Sequence, residues 1–359
     1  DFCLVVLQLN IKSMINNDPN TEDKAKQINP SEHLRKLNAD IALEKMLLDQ
    51  VRGEVSKAII GQNDMINALL IALLTEGHVL LEGMPGLAKT MAVRSLSETM
   101  NLDFGRIQFT PDLLPADVTG TMIYQQKSDT FSARKGPVFS SFLLADEINR
   151  APAKVQSALL EAMQEGQVTI GEETFRLPEP FLVMATQNPI EQEGTYTLPE
   201  AQKDRFLLKV KVAYPTADEE QAIIQSQIQA QPIAKLQKVL TKKDVLRLKA
   251  LVKEIYLDEK VEKYIVEIVH QTREPNLKAL EPLKPYLLFG ASPRGSIGLA
   301  RAAKAFAFME GRSFVIPDDV KMMAVPVLNH RIGLSYEAEM DGVSAQDIIE
   351  KIVQYVEVP

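Results

Sequence analysis

Short apolar runs alternate along this chain with longer segments whose apolar residues recur at helical spacing. Five such runs occur, at residues 78–81, 106–110, 141–147, 181–188 and 205–212. Continuous apolar runs of this length are typical of strands that are buried on both faces. Because helical patterns separate most of the runs, we predict an α/β domain over residues 41–213, with a parallel five-stranded sheet covered by helices on both faces.

Two inserts interrupt this alternation. Residues 118–139 and residues 165–180 each alternate apolar and polar positions around a short turn-like segment, and each pattern predicts a β-hairpin. Beyond Tyr214 the strand signals fade and several helical patterns follow. We therefore expect a domain boundary near Pro215 and an all-α second domain over residues 214–359.

The N-terminal residues lack this organisation. Residues 1–13 carry a short apolar run, which is far below the ~20 apolar residues that a helix needs to cross a bilayer. A polar and charged stretch follows it. We expect residues 1–40 to form a mobile arm or an added extension, without stable membrane insertion.

The composition narrows the classes of function. A length of 359 residues fits two domains, since one hydrophobic core rarely grows beyond roughly 250 to 300 residues. The formal charge of -8 gives no support for a basic nucleic-acid surface, so no nucleic-acid partner is expected. The single cysteine, Cys3, excludes an intramolecular disulfide, and the four scattered histidines lack the spacing of a zinc site. A reducing, cytoplasmic location fits these counts best.

The segment EGMPGLAKT, residues 82–90, joins the first apolar run to a helical pattern. A glycine-rich turn alone is weak support for a ligand site, but a strand, loop and helix in this order can hold phosphates on backbone N–H groups. Lys89 would reach the β- and γ-phosphate oxygens of a nucleotide, and the Thr90 hydroxyl would bind Mg²⁺. The nucleotide-binding residues predicted here are Gly83, Pro85, Gly86, Leu87, Ala88, Lys89, Thr90 and Met91. Met91 also lies in an apolar run, which suggests core packing.

Ala88 occupies a position at which phosphate loops usually carry glycine. A negative φ in the first helical turn would leave its methyl group unstrained, whereas a left-handed conformation would cost on the order of 1 kcal/mol or more. We expect the negative φ, with Gly83 and Gly86 as the flexible positions of the loop.

Polar side chains end two further apolar runs. Asp146 and Glu147 close the run FLLADE, where Asp146 would hold Mg²⁺ and Glu147 would polarise the attacking water. Asn188 closes the run FLVMATQN and would orient that water or contact the γ-phosphate. A solvated strand end or an Asn-Pro turn explains each motif taken alone. Together with the phosphate loop they favour a nucleotide hydrolase.

Two arginines complete the set of candidate residues. Arg205, at the start of the last apolar run, would stabilise the charge of the transition state on a phosphoryl group. Arg294, at the start of a helical pattern in the second domain, would reach the phosphates and couple the position of that domain to the nucleotide state. A surface cation is the alternative interpretation of Arg205. For Arg294, an arginine at a helix start opposes the helix dipole, and a nearby glutamate could meet that mismatch in place of an anionic ligand.

The ordered motifs GMPGLAKT, LLADEINR, ATQNP, DRF and SPRG resemble those of AAA+ ATPases, and within them the MoxR family, over residues 41–340. MoxR-type phosphate loops carry alanine before the lysine. The resemblance implies a P-loop AAA+ core followed by a helical lid, with the two hairpins as the inserts that face the pore or the substrate. It also implies that Ile60 and Gly61 line the adenine pocket and that Arg294 is the lid sensor.

The same resemblance implies an assembly and a role. Such proteins form homo-oligomeric rings, usually hexamers, with ATP and Mg²⁺ between subunits, so that Arg205 would act on the site of the neighbouring subunit. MoxR proteins are thought to remodel or mature other protein complexes, often with von Willebrand factor A domain partners. A nucleic-acid motor and a nucleotide-gated scaffold that does not hydrolyse ATP are the alternatives that the same core would support.

Overall fold

The structure is a computed structural model that describes residues 30–188, 196–228 and 235–359. Residues 1–29 of the expected N-terminal arm lie outside the described residues, as does the middle of the segment between Asn188 and Arg205. A helix begins at Pro30, within the range expected for the arm, and the division near residue 40 stays a prediction. The side chain of Leu37 is buried, so the apolar stripe of this helix extends further toward the N-terminus than the sequence pattern suggested.

The described residues contain the following regular elements. The helices are α1 (Pro30–Ser56), α2 (Asn63–Leu74), α3 (Lys89–Thr99), α4 (Pro115–Thr119), α5 (Ala153–Glu165), α6 (Glu200–Lys203), α7 (Ala217–Ile228), α8 (Lys242–Glu254), α9 (Glu259–Gln271), α10 (Pro293–Met309), α11 (Pro317–Leu328), α12 (Tyr336–Met340) and α13 (Ala345–Tyr355). The strands are β1 (Val79–Glu82), β2 (Phe104–Gln108), β3 (Gly120–Gln125), β4 (Thr130–Lys135), β5 (Phe142–Asp146), β6 (Gln167–Ile170), β7 (Glu173–Arg176), β8 (Leu182–Gln187), β9 (Leu208–Lys211), β10 (Leu287–Phe289) and β11 (Gly333–Leu334). Within the described ranges, no helix is long and apolar enough to span a membrane.

The central sheet has five strands in the order β2-β5-β8-β1-β9, and all neighbours run parallel. This confirms the predicted five-stranded parallel sheet. Successive residues of a strand pack into different layers, because Leu80 belongs to one buried cluster and Leu81 to the other. Helices therefore cover both faces, which explains why the strands read as continuous apolar runs.

Both predicted hairpins are confirmed. Strands β3 and β4 pair antiparallel from Gly120 opposite Lys135 to Gln125 opposite Thr130. Strands β6 and β7 pair antiparallel in the second insert. Each hairpin forms a separate two-stranded sheet, and within the described residues none of its strands pairs with the central sheet.

The second domain is predominantly helical, as predicted, but it is not entirely so. Strands β10 and β11 form a small antiparallel sheet that the sequence pattern did not indicate, because two or three paired residues are too short for a periodic signal. The larger buried cluster runs through both domains and includes Leu69 of α2 and Leu299 of α10. The helical lid is thus fastened to the α/β domain by apolar packing, and the boundary near Pro215 stays a prediction.

Candidate functional site

The glycine-rich loop connects the carboxyl end of β1 directly to the first residue of α3, as expected. Gly86 has a φ of 86°, in the left-handed region that favours glycine. A Cβ atom at Gly83 would lie 2.9 Å from the Val212 side chain, so that position requires glycine because the loop closely approaches the residue that follows β9.

The expectation for Ala88 is wrong. Ala88 precedes the first helical residue and has φ 56° and ψ 17°, a left-handed conformation. The loop enters the helix through this residue, so the conformation is set by the turn and not by the helix. For a residue with a Cβ atom this costs about 1–2 kcal/mol. The surrounding fold therefore holds the loop in a strained shape.

A cavity lies at the carboxyl edge of the central sheet, where the loop and three strand ends meet. We call it the carboxyl-edge cavity, and it is lined by Pro85, Gly86, Ala88, Lys89, Thr90, Met91, Arg106, Gln108, Asp146, Glu147, Thr186 and Asn188. Met91 is 37% exposed, so its assignment as core filler is wrong. Gly83 and Leu87 do not line the cavity, and Leu87 is buried in the larger apolar cluster.

Lys89 supplies a cation to this cavity. Its ammonium group donates to the Gly83 carbonyl at 2.7 Å, which folds the side chain back over the loop. Burial lowers the pKa of Lys89, and the nearby carboxylates of Asp146 and Glu147 oppose that shift. The N–H groups at the start of α3 add positive potential. This part of the cavity can bind an anion.

Thr186 joins the two acidic residues at the opposite wall. Its hydroxyl donates to Asp146 Oδ1 at 2.7 Å and accepts from the backbone N–H of Glu147 at 2.8 Å. Glu147 has φ 55° and ψ 51°, a second left-handed residue with a side chain. Because Thr186 is 1% exposed, its hydroxyl holds the Glu147 backbone in a fixed place beside the Asp146 carboxylate.

Arg106 and Gln108 are functional candidates that the sequence analysis missed. Arg106 Nη2 lies 2.8 Å from Asp146 Oδ2, and Gln108 Nε2 donates to Glu147 Oε2 at 2.9 Å. Arg150 Nε also lies 3.1 Å from that Glu147 oxygen. The parallel register places Gln108 opposite Asp146. The sequence did carry a signal for them, because Arg106 and Gln108 are polar residues at alternate positions near the carboxyl end of β2.

Arg205 and Arg294 line a different cavity. It contains Glu76, Gly77, His78, Asp204, Arg205, Leu207, Arg294, Gly298, Arg301 and Arg331, among others, and we call it the amino-edge cavity. His78 immediately precedes β1 and Arg205 precedes β9, so this cavity lies at the amino edge of the parallel sheet. The four residues of β1 place it roughly 13 Å from the phosphate loop along that strand. The two predicted arginines are together, but away from the loop of their own chain.

Ile60 and Gly61 lie in the connection between α1 and α2, outside the carboxyl-edge cavity. A Cβ atom at Gly61 would lie 2.6 Å from Glu219 Oε1, and the neighbouring Gln62 donates to the Ala213 carbonyl at 3.0 Å. The segment therefore contacts the beginning of the lid. Its role toward adenine stays a prediction.

The residues present fit a magnesium ion that is held mainly by phosphate and water. Thr90 and Asp146 line the same cavity as Lys89. Among the described residues, no group of three or more His, Cys, Asp or Glu side chains could hold a metal by itself. Mg²⁺ commonly uses one or two protein oxygen ligands together with substrate phosphates, so the donor set is of the right kind.

Comparison with known proteins identifies relatives along most of the chain. Residues 78–208 match the "ATPase family associated with various cellular activities (AAA)", and residues 283–352 match the AAA lid domain. Chaperone MoxR1 of Mycobacterium tuberculosis is 48% identical over 89% of this chain and 84% of that protein. Protein MoxR of Paracoccus denitrificans is 33% identical over 77% of this chain and 86% of that protein. The crystal structure of a Cytophaga hutchinsonii protein has a TM-score of 0.85 and 50% identity, covering 91% of this chain and 99% of that one.

The strain at Ala88 predicts that Ala88→Gly stabilises the protein. Glycine adopts the left-handed conformation freely, so the free energy of unfolding should rise by up to about 1 kcal/mol after the added entropy of the unfolded chain is subtracted. Chemical unfolding without nucleotide measures this change. The matched control is Ala250→Gly at an exposed position within α8, where the same substitution should lower the free energy of unfolding by about 1 kcal/mol. Equal destabilisation in both variants would contradict strain at Ala88.

Proposed function

The chain belongs to the MoxR family of AAA+ ATPases, and from this we propose that it hydrolyses ATP with Mg²⁺ to remodel or mature a partner protein complex, as a chaperone. The observation that carries the proposal is the carboxyl-edge cavity, where the cation of Lys89 faces the carboxylates of Asp146 and Glu147. A cation beside a carboxylate pair supports phosphate binding on one side and water activation on the other. No observation on the described residues favours the nucleic-acid motor or the non-hydrolysing scaffold.

The phosphate loop binds the triphosphate in this proposal. Backbone N–H groups of the loop and of the first turn of α3 donate to the phosphate oxygens, and Lys89 turns from the Gly83 carbonyl to the β- and γ-phosphates. A bound magnesium ion, held by Thr90 and Asp146, would neutralise phosphate charge. The strained Ala88 keeps the loop open in the shape that a phosphate needs, so little reorganisation accompanies binding.

Glu147 is the general base of the proposed reaction. The attacking water gives its proton to the Glu147 carboxylate as its oxygen bonds to the γ-phosphorus in line with the leaving ADP oxygen. Gln108 and Arg150 bind one oxygen of that carboxylate and so fix its orientation. Asn188, which lines the same cavity at the end of β8, is the neutral side chain that would orient the water.

In this proposal, the arginines of the amino-edge cavity supply positive charge to the nucleotide site of the adjacent subunit. AAA+ ATPases assemble as oligomeric rings, in which the cavity of one subunit meets the neighbour. The location of Arg205 across the sheet from its own phosphate loop supports action on that neighbour. Arg294 lies in the same cavity, so we assign its lid-sensor role to the neighbouring nucleotide as well. Both guanidiniums would then approach the γ-phosphate together.

The finer points of the assembly are also proposals. We expect a hexamer, with the two hairpins directed to the pore or the substrate and a von Willebrand factor A domain protein or a client complex as partner. The tip of the first hairpin supports a contact role, since Tyr124 and Phe131 are largely exposed and their ring centroids lie 5.3 Å apart. A cytoplasmic location follows from the proposed role and stays a prediction.

Replacing the general base separates binding from turnover. Glu147→Gln removes the proton acceptor but keeps the size and the polarity of the side chain, so ATP binding should persist while hydrolysis falls at least about 100-fold. Phosphate release and binding of a fluorescent ATP analogue measure the two quantities. Glu161→Gln on the exposed face of α5 is the control and should change neither. Hydrolysis that survives in Glu147→Gln would remove Glu147 from this role.

Mixing of variants tests the action of Arg205 between subunits. Arg205→Ala should bind ATP normally and lose about 10³-fold in turnover, because the transition-state charge is no longer neutralised. Adding Glu147→Gln subunits, which carry Arg205, should restore part of the phosphate release. The control addition is a Glu147→Gln, Arg205→Ala double variant, which offers no guanidinium and should restore nothing. Equal results from the two additions would rule out action across the interface.

A further inference from the structure

The backbone that carries Arg205 is bound by the lid of the same chain. Asp204 Oδ1 accepts from Arg331 Nε at 2.7 Å, and Asp204 Oδ2 accepts from the Ser292 hydroxyl at 2.9 Å. Arg294 Nη1 lies 4.0 Å from that second oxygen. Ser292 and Arg294 are at the start of α10, and Arg331 follows α11. The carboxylate of Asp204, the residue before Arg205, therefore contacts two parts of the lid.

Arg331 extends this contact past Arg205. Its side chain is 3% exposed, and its guanidinium donates to the Leu207 carbonyl at 3.1 Å and to the Phe206 carbonyl at 2.6 Å. The adjacent His330 Nε2 also donates to the Phe206 carbonyl, at 2.9 Å. The Arg331 guanidinium also donates to the Asp204 carbonyl at 3.3 Å. The lid thus binds the chain on both sides of Arg205.

Apolar packing removes the remaining freedom of this segment. Phe206 is fully buried, and Leu207 lies so close to Gly77 that a Cβ atom there would be 2.5 Å from Leu207 Cδ2. On the lid side, a Cβ atom at Gly298 of α10 would lie 3.3 Å from Leu207 Cδ1. The segment is therefore packed between the α/β domain and the lid, and Arg205 cannot shift without its neighbours.

We propose that Asp204 and Arg331 are positioning residues that lock Arg205 to the lid of its own subunit, so that Arg205 and Arg294 are presented to the neighbouring nucleotide as one unit. This inference rests on the proposed ATPase function. The proposal gives the coupling between subunits a direction, from the lid of one subunit to the active site of the next. A displacement of the lid would move Arg205 relative to the phosphates of the next subunit. The lid would thereby transmit the state of its own subunit to the neighbouring active site.

The test places Asp204→Asn separately in the two kinds of subunit of a mixed ring. The acceptor subunit carries Arg205→Ala and an intact Glu147, and the donor subunit carries Glu147→Gln and an intact Arg205. In the donor, Asp204→Asn should lower the recovered phosphate release about ten- to a hundredfold, because the donated guanidinium is misplaced. In the acceptor, which has no Arg205 to position, the same substitution should leave the recovered release within about twofold, since its own phosphate loop is unaffected.

A matched substitution controls for a general loss of lid stability. Asp319 is 1% exposed and pairs with Arg312 of the same lid, away from both cavities. Asp319→Asn should have the same effect in the donor and in the acceptor. Should Asp204→Asn fail to fold, Ser292→Ala serves instead, with Ser344→Ala as its control, because both serines cap a helix but only Ser292 donates to Asp204. Ser292→Ala should give a smaller loss, in the donor placement only.

The outcomes separate this inference from the function on which it rests. If the donor and the acceptor restore no activity when Asp204 is intact in both, the proposed action between subunits is wrong. The positioning role then fails with it. If they restore activity and Asp204→Asn lowers it equally in both placements, Asp204 is only structural. The absence of any loss in the donor placement also overturns the positioning role, while leaving the ATPase function intact.

Discussion

The polarity of the parallel sheet is the constraint on which the rest of this structure depends. In a parallel sheet the carboxyl ends of all strands lie at the same edge, so the phosphate loop and the carboxylates of Asp146 and Glu147 converge there. The same polarity sends Arg205 to the amino edge, together with the lid residue Arg294. A single chain therefore places these two arginines away from its own phosphate loop, which is the observation behind the proposed action on a neighbouring subunit.

Backbone strain and buried hydrogen bonds prepare the carboxyl-edge cavity. Ala88 and Glu147, on its two sides, both adopt left-handed conformations that residues with a Cβ atom disfavour. Thr186 accepts from the backbone N–H of Glu147 and so holds that residue, and Gly83 packs closely against Val212. The fold stabilises these conformations with packing elsewhere, which is how a preorganised site is maintained.

The lid is connected to the α/β domain by two different kinds of contact. Apolar packing through the larger buried cluster provides non-directional attachment. The buried guanidinium of Arg331, in contrast, makes directional bonds to Asp204 and to the carbonyls that flank Arg205. Directional bonds fix geometry more narrowly than apolar contacts do, so the second kind of contact is the one suited to placing a charged side chain.

The sequence by itself determined the α/β class, the two hairpins and the strand, loop and helix around residues 82–90, because these depend on local periodicity and short-range turn chemistry. Tertiary structure alone decided the φ of Ala88, the pairing of Arg106 with Asp146 and the junction of Asp204 with Arg331. The last of these joins residues 127 positions apart. Such contacts arise only when strand order and lid packing bring distant segments together, and no local pattern carries that information.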